Sequence, residues 1–465
     1  MYLMKTNLTY HIWTVGCQMN VADSERLAST LEQMGLSSQP ELEKADVIVL
    51  NSCVVRQGAE DKVVGHVGAL KPLKKEFPGK VTALMGCMVG PKSNVLQERF
   101  PHIDVFMRPQ QFQPLISHLE TKLGLDGGCV GALVPPHPSV GANVPVIQGC
   151  DLFCTFCIIP YRRGRQKSRP LSEVVHECMA LAERGVKEVT LLGQTVDAYG
   201  HDLSDGYDLA DLMNAVSEVD GIERIRFLTS HPNFLSDRII KTIADNPKVC
   251  EHINLPIQAA DDAVLTAMRR GYTSADYMRL IERIRAGIPG VNLSTDVIVG
   301  FPGESAGQFQ HTYELLESVR FDKIHLAMYS ERPGTIASRK LPDDVPQEEK
   351  HRRLHILETL ERQLSGELNA AMVGSTQEVL FEELDSAQIQ TSLPMASVPT
   401  GVVRKGTTEE QRVQLRGRTR GNKLVTIDVS DWPDCAPPES LVGKLANVRI
   451  EGAGAWSLKG SLVPQ

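Results

Sequence analysis

Ten short apolar runs between residues 10 and 328 are each followed by a stretch patterned as a helix or a loop rather than a hairpin. No other feature constrains the fold as much. Parallel neighbours cannot be joined by a tight turn, so a chain that keeps returning to a strand after a helix is committed to parallel sheets with helical crossovers. Residues 10–15, 46–51, 81–85 and 103–106 form the first group of strands. Between the first two stands VADSERLASTLEQMG, where Asp23 or Ser24 is expected to cap a helix, Leu27, Leu31 and Met34 to share its apolar face, and Gly35 to end it. This predicts a small doubly wound α/β domain over residues 6–123, followed by a linker rich in Gly and Pro over 124–145. Residues 144–148, 188–192, 224–229, 252–257, 294–299 and 323–328 form the second group. Six βα units in one run predict a partial TIM-type (β/α)6 barrel over 136–369, closed by a charged helix over 347–372. Its site should lie at the C-terminal ends of the strands. From residue 370 to 465 the runs 378–382, 412–415, 424–429 and 445–450 alternate between Gly-rich and polar turns. A small antiparallel β-barrel is the economical reading there.

The 465 residues are 42% hydrophobic and 23% charged, a globular balance. Lys and Arg number 49 against 57 Asp and Glu, a net charge of −8, so nucleic acid must be met at local basic patches. No apolar run approaches the ~18–20 residues of a membrane span. The opening MYLMKTNLTYHIWTVGC has no basic region leading into an apolar stretch, so no secretory signal and a cytoplasmic chain are expected. Ten cysteines in such a chain are better read as ligands, nucleophiles or core residues than as disulfides.

Six of those cysteines form two sets. GCDLFCTFC places Cys150, Cys154 and Cys157 at C-x3-C-x2-C spacing just after a strand. A closed zinc site needs a fourth Cys or His in a second close pair, whereas a four-iron cubane has four corners. Three thiolates then leave one iron open to a substrate or cofactor, though a zinc knuckle borrowing a distant His is the alternative. The second set is dispersed: Cys17, Cys53 and Cys87 each follow the end of a predicted strand of the first domain. In a parallel sheet those ends share one edge, where doubly wound folds bind ligands. Singly, each is as readily a small buried hydrophobe; together the ligand reading is favoured. Cys129, Cys178, Cys250 and Cys435 show no such pattern.

C-x3-C-x2-C with Phe156 before the third cysteine resembles the radical S-adenosylmethionine enzymes. TVGCQMNVADSERL, NSCVVRQGAEDKV, GCM, CTFCIIPYRRGRQKSRP, LLGQTVDAYG, FLTSHP, TDVIVGFPGES and YSERPGTIA then extend the resemblance over nearly the whole chain to the methylthiotransferases. That family joins a three-cysteine N-terminal domain, a radical core and a C-terminal TRAM barrel that binds RNA. The resemblance implies two [4Fe-4S] clusters. One, on Cys150, Cys154 and Cys157, chelates S-adenosyl-L-methionine at its open iron and yields a 5′-deoxyadenosyl radical. The other, on Cys17, Cys53 and Cys87, holds the sulfur to be transferred, and a further S-adenosylmethionine gives the methyl group. By the same analogy Ile298 and Gly300 lie near the adenosine, and Gly193 and Gln194 near the methionine end. An electron donor such as a flavodoxin or ferredoxin and a sulfur donor are implied partners, with the chain a monomer.

GCQMNVADSE resembles the branch that methylthiolates carbon 2 of prenylated adenosine beside the tRNA anticodon. Sister branches, which act on threonylcarbamoyladenosine or a ribosomal protein, tend to carry GCKVN or GCPKN. The chain departs from the prenyl branch at Gln166, where Glu is common, and at QAADD, where QSGSD is common; a segment around 385–408 looks inserted into the barrel. Two basic clusters stand out. One holds Arg162, Arg163, Arg165, Lys167 and Arg169; the other holds Arg404, Lys405, Arg412, Arg416, Arg418, Arg420 and Lys423. Beside a metal loop and on a small barrel, RNA phosphate contact is expected of both rather than solvated surface charge. Two readings of other classes compete. An iron–sulfur electron carrier explains the cysteines but not the barrel, and a zinc-stabilised RNA-binding protein explains the basic patches but not an open ligand set.

Overall fold

Period-two alternation in the first strands explains why the N-terminal sheet is covered on both faces. Val47 and Val49 point into one apolar cluster with Leu27, Leu31 and Leu115, while Ile48 and Leu50 point into another with Val63 and Val67. The computed structural model describes residues 8–54, 57–90, 94–125, 134, 138–390, 409–429 and 437–463. In it, strands Ser37–Ser38, Thr9–Thr14, Val47–Ser52, Val81–Gly86 and Val105–Met107 form one parallel sheet in that spatial order. Helices Gln18–Gln33, Gln57–Glu76 and Gln113–Leu123 supply the crossovers and covers, as a doubly wound domain requires.

The expected cap at Asp23 or Ser24 is not where the first helix starts. The helix begins a turn and a half earlier, with Cys17 in the N-cap position, and both residues are buried inside it. Their side chains are used by tertiary partners instead: Ser24 Oγ lies 2.7 Å from Thr14 Oγ1, and Asp23 pairs with Arg163. Gly35 follows the last turn with φ +88°, as expected of a stop.

Six parallel strands follow in chain order: Gly141–Pro145, Glu188–Leu192, Arg224–Leu228, His252–Asn254, Asn292–Val299 and Lys323–Met328. A parallel bridge between Ile225 and Val249 links the two three-stranded halves into an open (β/α)6 barrel. The first strand starts three residues before the expected one and breaks at Val146; Ile147–Gln148 pairs antiparallel with Lys167–Ser168 instead. Asp208, Thr273 and Ser305 close capping boxes at the helices on its outside. The two α/β domains pack into one compact unit extending to Thr359, and the chain from Leu360 onward forms a second. No helix among the described residues is long and apolar enough to cross a membrane.

The second unit is a closed five-stranded barrel in the order Thr376–Gln390, Glu409–Thr419, Leu424–Asp428, Leu458–Leu462, Leu445–Ala453. Val379, Phe381, Leu415, Val425, Val448 and Leu458 fill it. Leu458–Leu462, which the sequence patterning missed, closes the barrel by pairing parallel to Leu424–Asp428 and antiparallel to Leu445–Ala453. The inserted segment begins as a hairpin extension, with Asp385 to Gln390 paired against Gln414 to Glu409.

Candidate metal centres and active site

Three neighbouring strands deliver the first cysteine set to one sheet edge. Cys53 and Cys87 directly follow Val47–Ser52 and Val81–Gly86, which pair in register, and Cys17 follows Thr9–Thr14 on the other flank of Val47–Ser52. The edge is held by a closed amide network. Asn20 Nδ2 donates to Asn51 Oδ1 at 3.0 Å and to the Ser52 carbonyl at 2.9 Å, while Asn51 Nδ2 donates to the Asn20 carbonyl at 2.7 Å. Cys17 Sγ donates to Asn20 Oδ1 at 3.3 Å. Gly16 and Gly86 let the loops come this close. A Cβ at Gly16 would sit 2.7 Å from Cys53 Cβ, and one at Gly86, whose φ is +102°, 2.3 Å from the Ser52 carbonyl oxygen. Burial pushes the Cys87 thiol up to about 11; the Arg163 guanidinium opposes this, and Cys53 and Cys17 add to it.

The second set lies on the loop that leaves Ile147–Gln148. The Cys157 amide turns back onto the Cys154 carbonyl at 3.0 Å, and Phe153 takes a left-handed φ of 51° to make the bend. Burial raises the Cys157 thiol to about 12, with Cys154 and Cys150 adding to the effect. Cys150 is raised by burial as well. Two side chains reach these sulfurs. Thr195 Oγ1 lies 3.5 Å from Cys150 Sγ, and Arg270 Nη1 donates to Cys154 Sγ at 3.4 Å. Arg270 is buried and also donates to the Pro256 carbonyl at 2.9 Å and to Tyr272 Oη at 3.0 Å.

These donor sets fit iron clusters. Thiols that burial holds in the protonated form, as at Cys87, Cys150 and Cys157, become ligands when a metal replaces the proton. Among the described residues no three His, Cys, Asp or Glu side chains converge closely enough for a single metal ion. A cubane asks for a wider triangle, since each thiolate holds a different iron. Polar atoms that want a ligand also gather at the C-terminal ends of the barrel strands. Asp197 Oδ1, Ser230 Oγ, His231 Nε2 and Gln258 Oε1 are buried without a partner among the described residues. Asp197 Oδ2 accepts from the His231 amide at 2.8 Å, and the His231 ring lies 5.6 Å from that of Tyr272. Burial raises Asp197 to about 8 and depresses His231 to about 2, so at neutral pH the acid is largely protonated and the imidazole is neutral. Such a cluster of polar groups suits a polar cofactor that brings its own charges.

Of the expected cofactor contacts, Phe156 and Ile298 come together in an apolar cluster with Ala259, Phe301 and Tyr329. Gly193 and Gly300 each have a packing reason to be glycine. A Cβ at Gly193 would meet Ile147 Cγ2 at 2.1 Å, and one at Gly300 would meet Lys350 Cγ at 2.4 Å. The Gly300 amide donates to Glu304 Oε2 at 2.6 Å. Gln194 is half-buried between Gly193 and Thr195. Sequence reasoning missed Thr195, Asp197, His231 and Arg270, although three of them stand in the stretches LLGQTVDAYG and FLTSHP. Nothing in MRRGY marks Arg270, rather than Arg269, as the buried one.

The first basic cluster is not one phosphate-facing surface. Arg163 pairs with Asp23 at 3.0 Å, Arg165 with Asp151 at 2.9 Å and Arg169 with Glu177 at 2.7 Å. In the barrel unit, Arg416 pairs with Asp385 at 2.5 Å and Arg418 with Glu382 at 3.4 Å, acids from the neighbouring strand that offset the local charge. Arg404 and Lys405 lie outside the described residues, as does the side chain of Arg412; Arg420 and Lys423 also have partners.

Residues 144–316 match the radical SAM superfamily and residues 9–108 match the uncharacterized protein family UPF0004. The first covers the barrel strands through Asn292–Val299, the second the sheet bearing Cys17, Cys53 and Cys87. The chain is 44% identical over 459 residues to a tRNA-2-methylthio-N(6)-dimethylallyladenosine synthase of Roseiflexus sp. strain RS-1, covering 97% of this chain and 89% of the relative. It is 42% identical to the enzyme of the same name from Dehalococcoides mccartyi strain CBDB1, covering 98% of each. The chain belongs to this synthase family. Among solved structures, the radical S-adenosylmethionine methyltransferase TsrM of Kitasatospora setae, with cobalamin and a [4Fe-4S] cluster bound, shares the fold. It aligns with a TM-score of 0.54 at 13% identity over 72% of this chain and 74% of that one.

The departure at Gln166 has a local cause. Its Nε2 donates to the Ala198 carbonyl at 3.0 Å and to Asp202 Oδ1 at 3.1 Å. A Glu there has no proton to give and would face the Asp202 carboxylate, so the amide is the compatible side chain.

Proposed function

We propose that the chain is a tRNA methylthiotransferase that adds a methylthio group to carbon 2 of N6-dimethylallyladenosine at position 37, beside the anticodon. The observation that carries this reading is the pair of three-thiol sets within one compact unit, one at the C-terminal ends of three neighbouring parallel strands and the other on the loop that leaves Ile147–Gln148. When bound, a [4Fe-4S] cluster on Cys150, Cys154 and Cys157 with S-adenosylmethionine supplies a radical able to break an aromatic C–H bond, and a second cluster on Cys17, Cys53 and Cys87 supplies the sulfur.

The protein's own part is placement and exclusion. Arg270 holds a positive charge and an N–H against Cys154 Sγ, and Thr195 sits against Cys150 Sγ. Asp197, Ser230, His231 and Gln258 present unpartnered polar atoms for the cofactor, and Phe156 and Ile298 form part of an apolar wall. Phe156, Gly193, Gln194, Ile298 and Gly300 remain the proposed cofactor-binding positions. RNA contact by the barrel is assigned to Arg404, Lys405, Arg412, Arg416, Arg418, Arg420 and Lys423. A flavodoxin- or ferredoxin-type electron donor, a sulfur donor, a monomeric state and a cytoplasmic location complete the reading.

Substrate choice is the sharpest test. A pocket that buries the prenyl group gains ~0.8 kcal/mol per methylene, so five carbons bias binding by a few kcal/mol before ordering costs. An anaerobic assay offering prenylated, threonylcarbamoylated and unmodified tRNA should show turnover on the first and little on the others. Preference for the threonylcarbamoylated tRNA would move the chain to the sister branch.

A further inference from the structure

A cavity of about 230 Å³ within the first unit is lined by Arg26, Arg108, Arg162, Arg163, Gln110 and Gln148. Its walls come from both cysteine-bearing segments. Arg26 is on the helix that Cys17 caps, Gln148 lies two residues before Cys150, and Arg162 and Arg163 end the short helix Ile159–Arg163 that follows Cys157. Arg162 Nη1 reaches across to the loop after Cys87, where a Cβ on Gly90 would stand 2.2 Å from it.

The charges here are unbalanced. Arg163 is paired with Asp23 at 3.0 Å, and Arg26 lies 3.5 Å from a Glu177 that is closer to Arg169. Among the described residues, Arg108 has only the Arg162 carbonyl, at 3.2 Å, and no carboxylate pairs with Arg108 or Arg162. Among the described residues the buried Nε atoms of Arg26, Arg108, Arg162 and Arg163 have no acceptor, Gln110 Nε2 has none either, and Gln110 Oε1 has no donor. Gln110 is held at φ 62°, a strained conformation for a residue with a side chain. Orphaned guanidinium donors around one small cavity are what an oxyanion with several acceptors would satisfy.

We propose that this cavity seats one phosphodiester of the RNA substrate, next to the base to be modified. The proposal rests on the methylthiotransferase reading. Two facts favour an RNA phosphate. The chain carries a net charge of −8, so phosphate must be met at local sites. Arg108 and Arg162 are guanidinium groups with no carboxylate partner among the described residues, in a cavity walled by both cysteine-bearing segments.

The test measures binding of a prenylated anticodon stem-loop RNA to the reconstituted holoenzyme between 50 and 200 mM salt, with turnover followed in parallel. Arg108→Gln and Arg162→Gln should each weaken binding roughly ten- to hundredfold, and the double variant should lose about 0.7 from the salt slope, the share of one single-strand phosphate. Arg108→Lys and Arg162→Lys, which keep the charge, should retain the slope. Lys241→Gln, on an outer barrel helix, should change neither quantity. A wild-type slope in the double Gln variant, with iron content intact, overturns the assignment, as does equal loss in the Lys and Gln variants. If inorganic phosphate alone raises the thermal midpoint through Arg108 and Arg162 while the RNA slope stays unchanged, the cavity serves a free anion and the RNA assignment fails. A wild type that neither binds nor modifies the RNA sinks the functional reading itself, which separates the two failures.

Discussion

Arg270 places a buried guanidinium 3.4 Å from Cys154 Sγ. Hydrogen bonds to cluster sulfurs help set reduction potential, and a cationic donor favours the more negative, reduced state. Arg270→Met, made with Cys17, Cys53 and Cys87 replaced by Ala so that one cluster remains, should therefore lower that potential by on the order of 50 mV, about one charge-assisted hydrogen bond. Dye-mediated titration followed by electron paramagnetic resonance reads this; an unchanged potential would make Arg270 a purely structural residue. Asp197 makes a different prediction. Burial raises it from 3.8 to about 8, so the folded chain keeps a proton that the unfolded chain has released. Stability from this group is complete below the lower value and is lost as pH rises through the higher one. His231, lowered from 6.5 to about 2, acts in the opposite sense, but only below its ordinary value. Between about pH 6.5 and 8 Asp197 is thus the active one of the two. Unfolding free energy of the cluster-free protein should fall by about 2 kcal/mol across that window. Asp197→Asn should flatten the fall in urea titrations.

Among the elements, the turn after Val81–Gly86 decides whether Cys87 reaches its neighbours. At φ +102°, with a Cβ only 2.3 Å from the Ser52 carbonyl oxygen, Gly86 tolerates no side chain. Gly86→Ala should cost about 1–3 kcal/mol in backbone strain and displace the cysteine that follows. After anaerobic reconstitution, iron should drop from about eight atoms per chain to about four, the count for losing one cubane. Full iron retention would show that the turn has more freedom than its packing suggests. The helix Gln18–Gln33 shows how an element boundary is settled elsewhere in the molecule. Asp23 and Ser24 have good capping side chains, yet pairing with Arg163 and with Thr14 outcompetes a local cap. The helix then extends back to Cys17.

For the molecule as a whole, replacing Cys150, Cys154 and Cys157 with Ala should remove about half the iron and all cleavage of S-adenosylmethionine. Replacing Cys17, Cys53 and Cys87 should also remove about half, yet leave uncoupled cleavage, because these three take no part in that step. Iron analysis with a cleavage assay checks both. Full iron content in the first-domain variant would mean that these three strands do not deliver a common ligand set.

Strand and helix order was legible in the chain because it depends on short-range patterning. Short apolar runs at 47–50 and 81–85, and three cysteines within eight residues, report on their own neighbourhoods. The parallel order then followed from the crossovers, and with it the shared edge of Cys17, Cys53 and Cys87. Pairing across the fold was not legible. Which arginine of MRRGY turns inward, which acids offset Arg416 and Arg418, and why Gln166 is an amide are all set by residues distant in sequence. The short strand Leu458–Leu462 was missed for the same reason: its role is to close a barrel, and closure is a property of the whole sheet. Local propensity and periodicity fix elements within a few residues, whereas the partner of a charge and the burial of a thiol exist only once packing has excluded water from both.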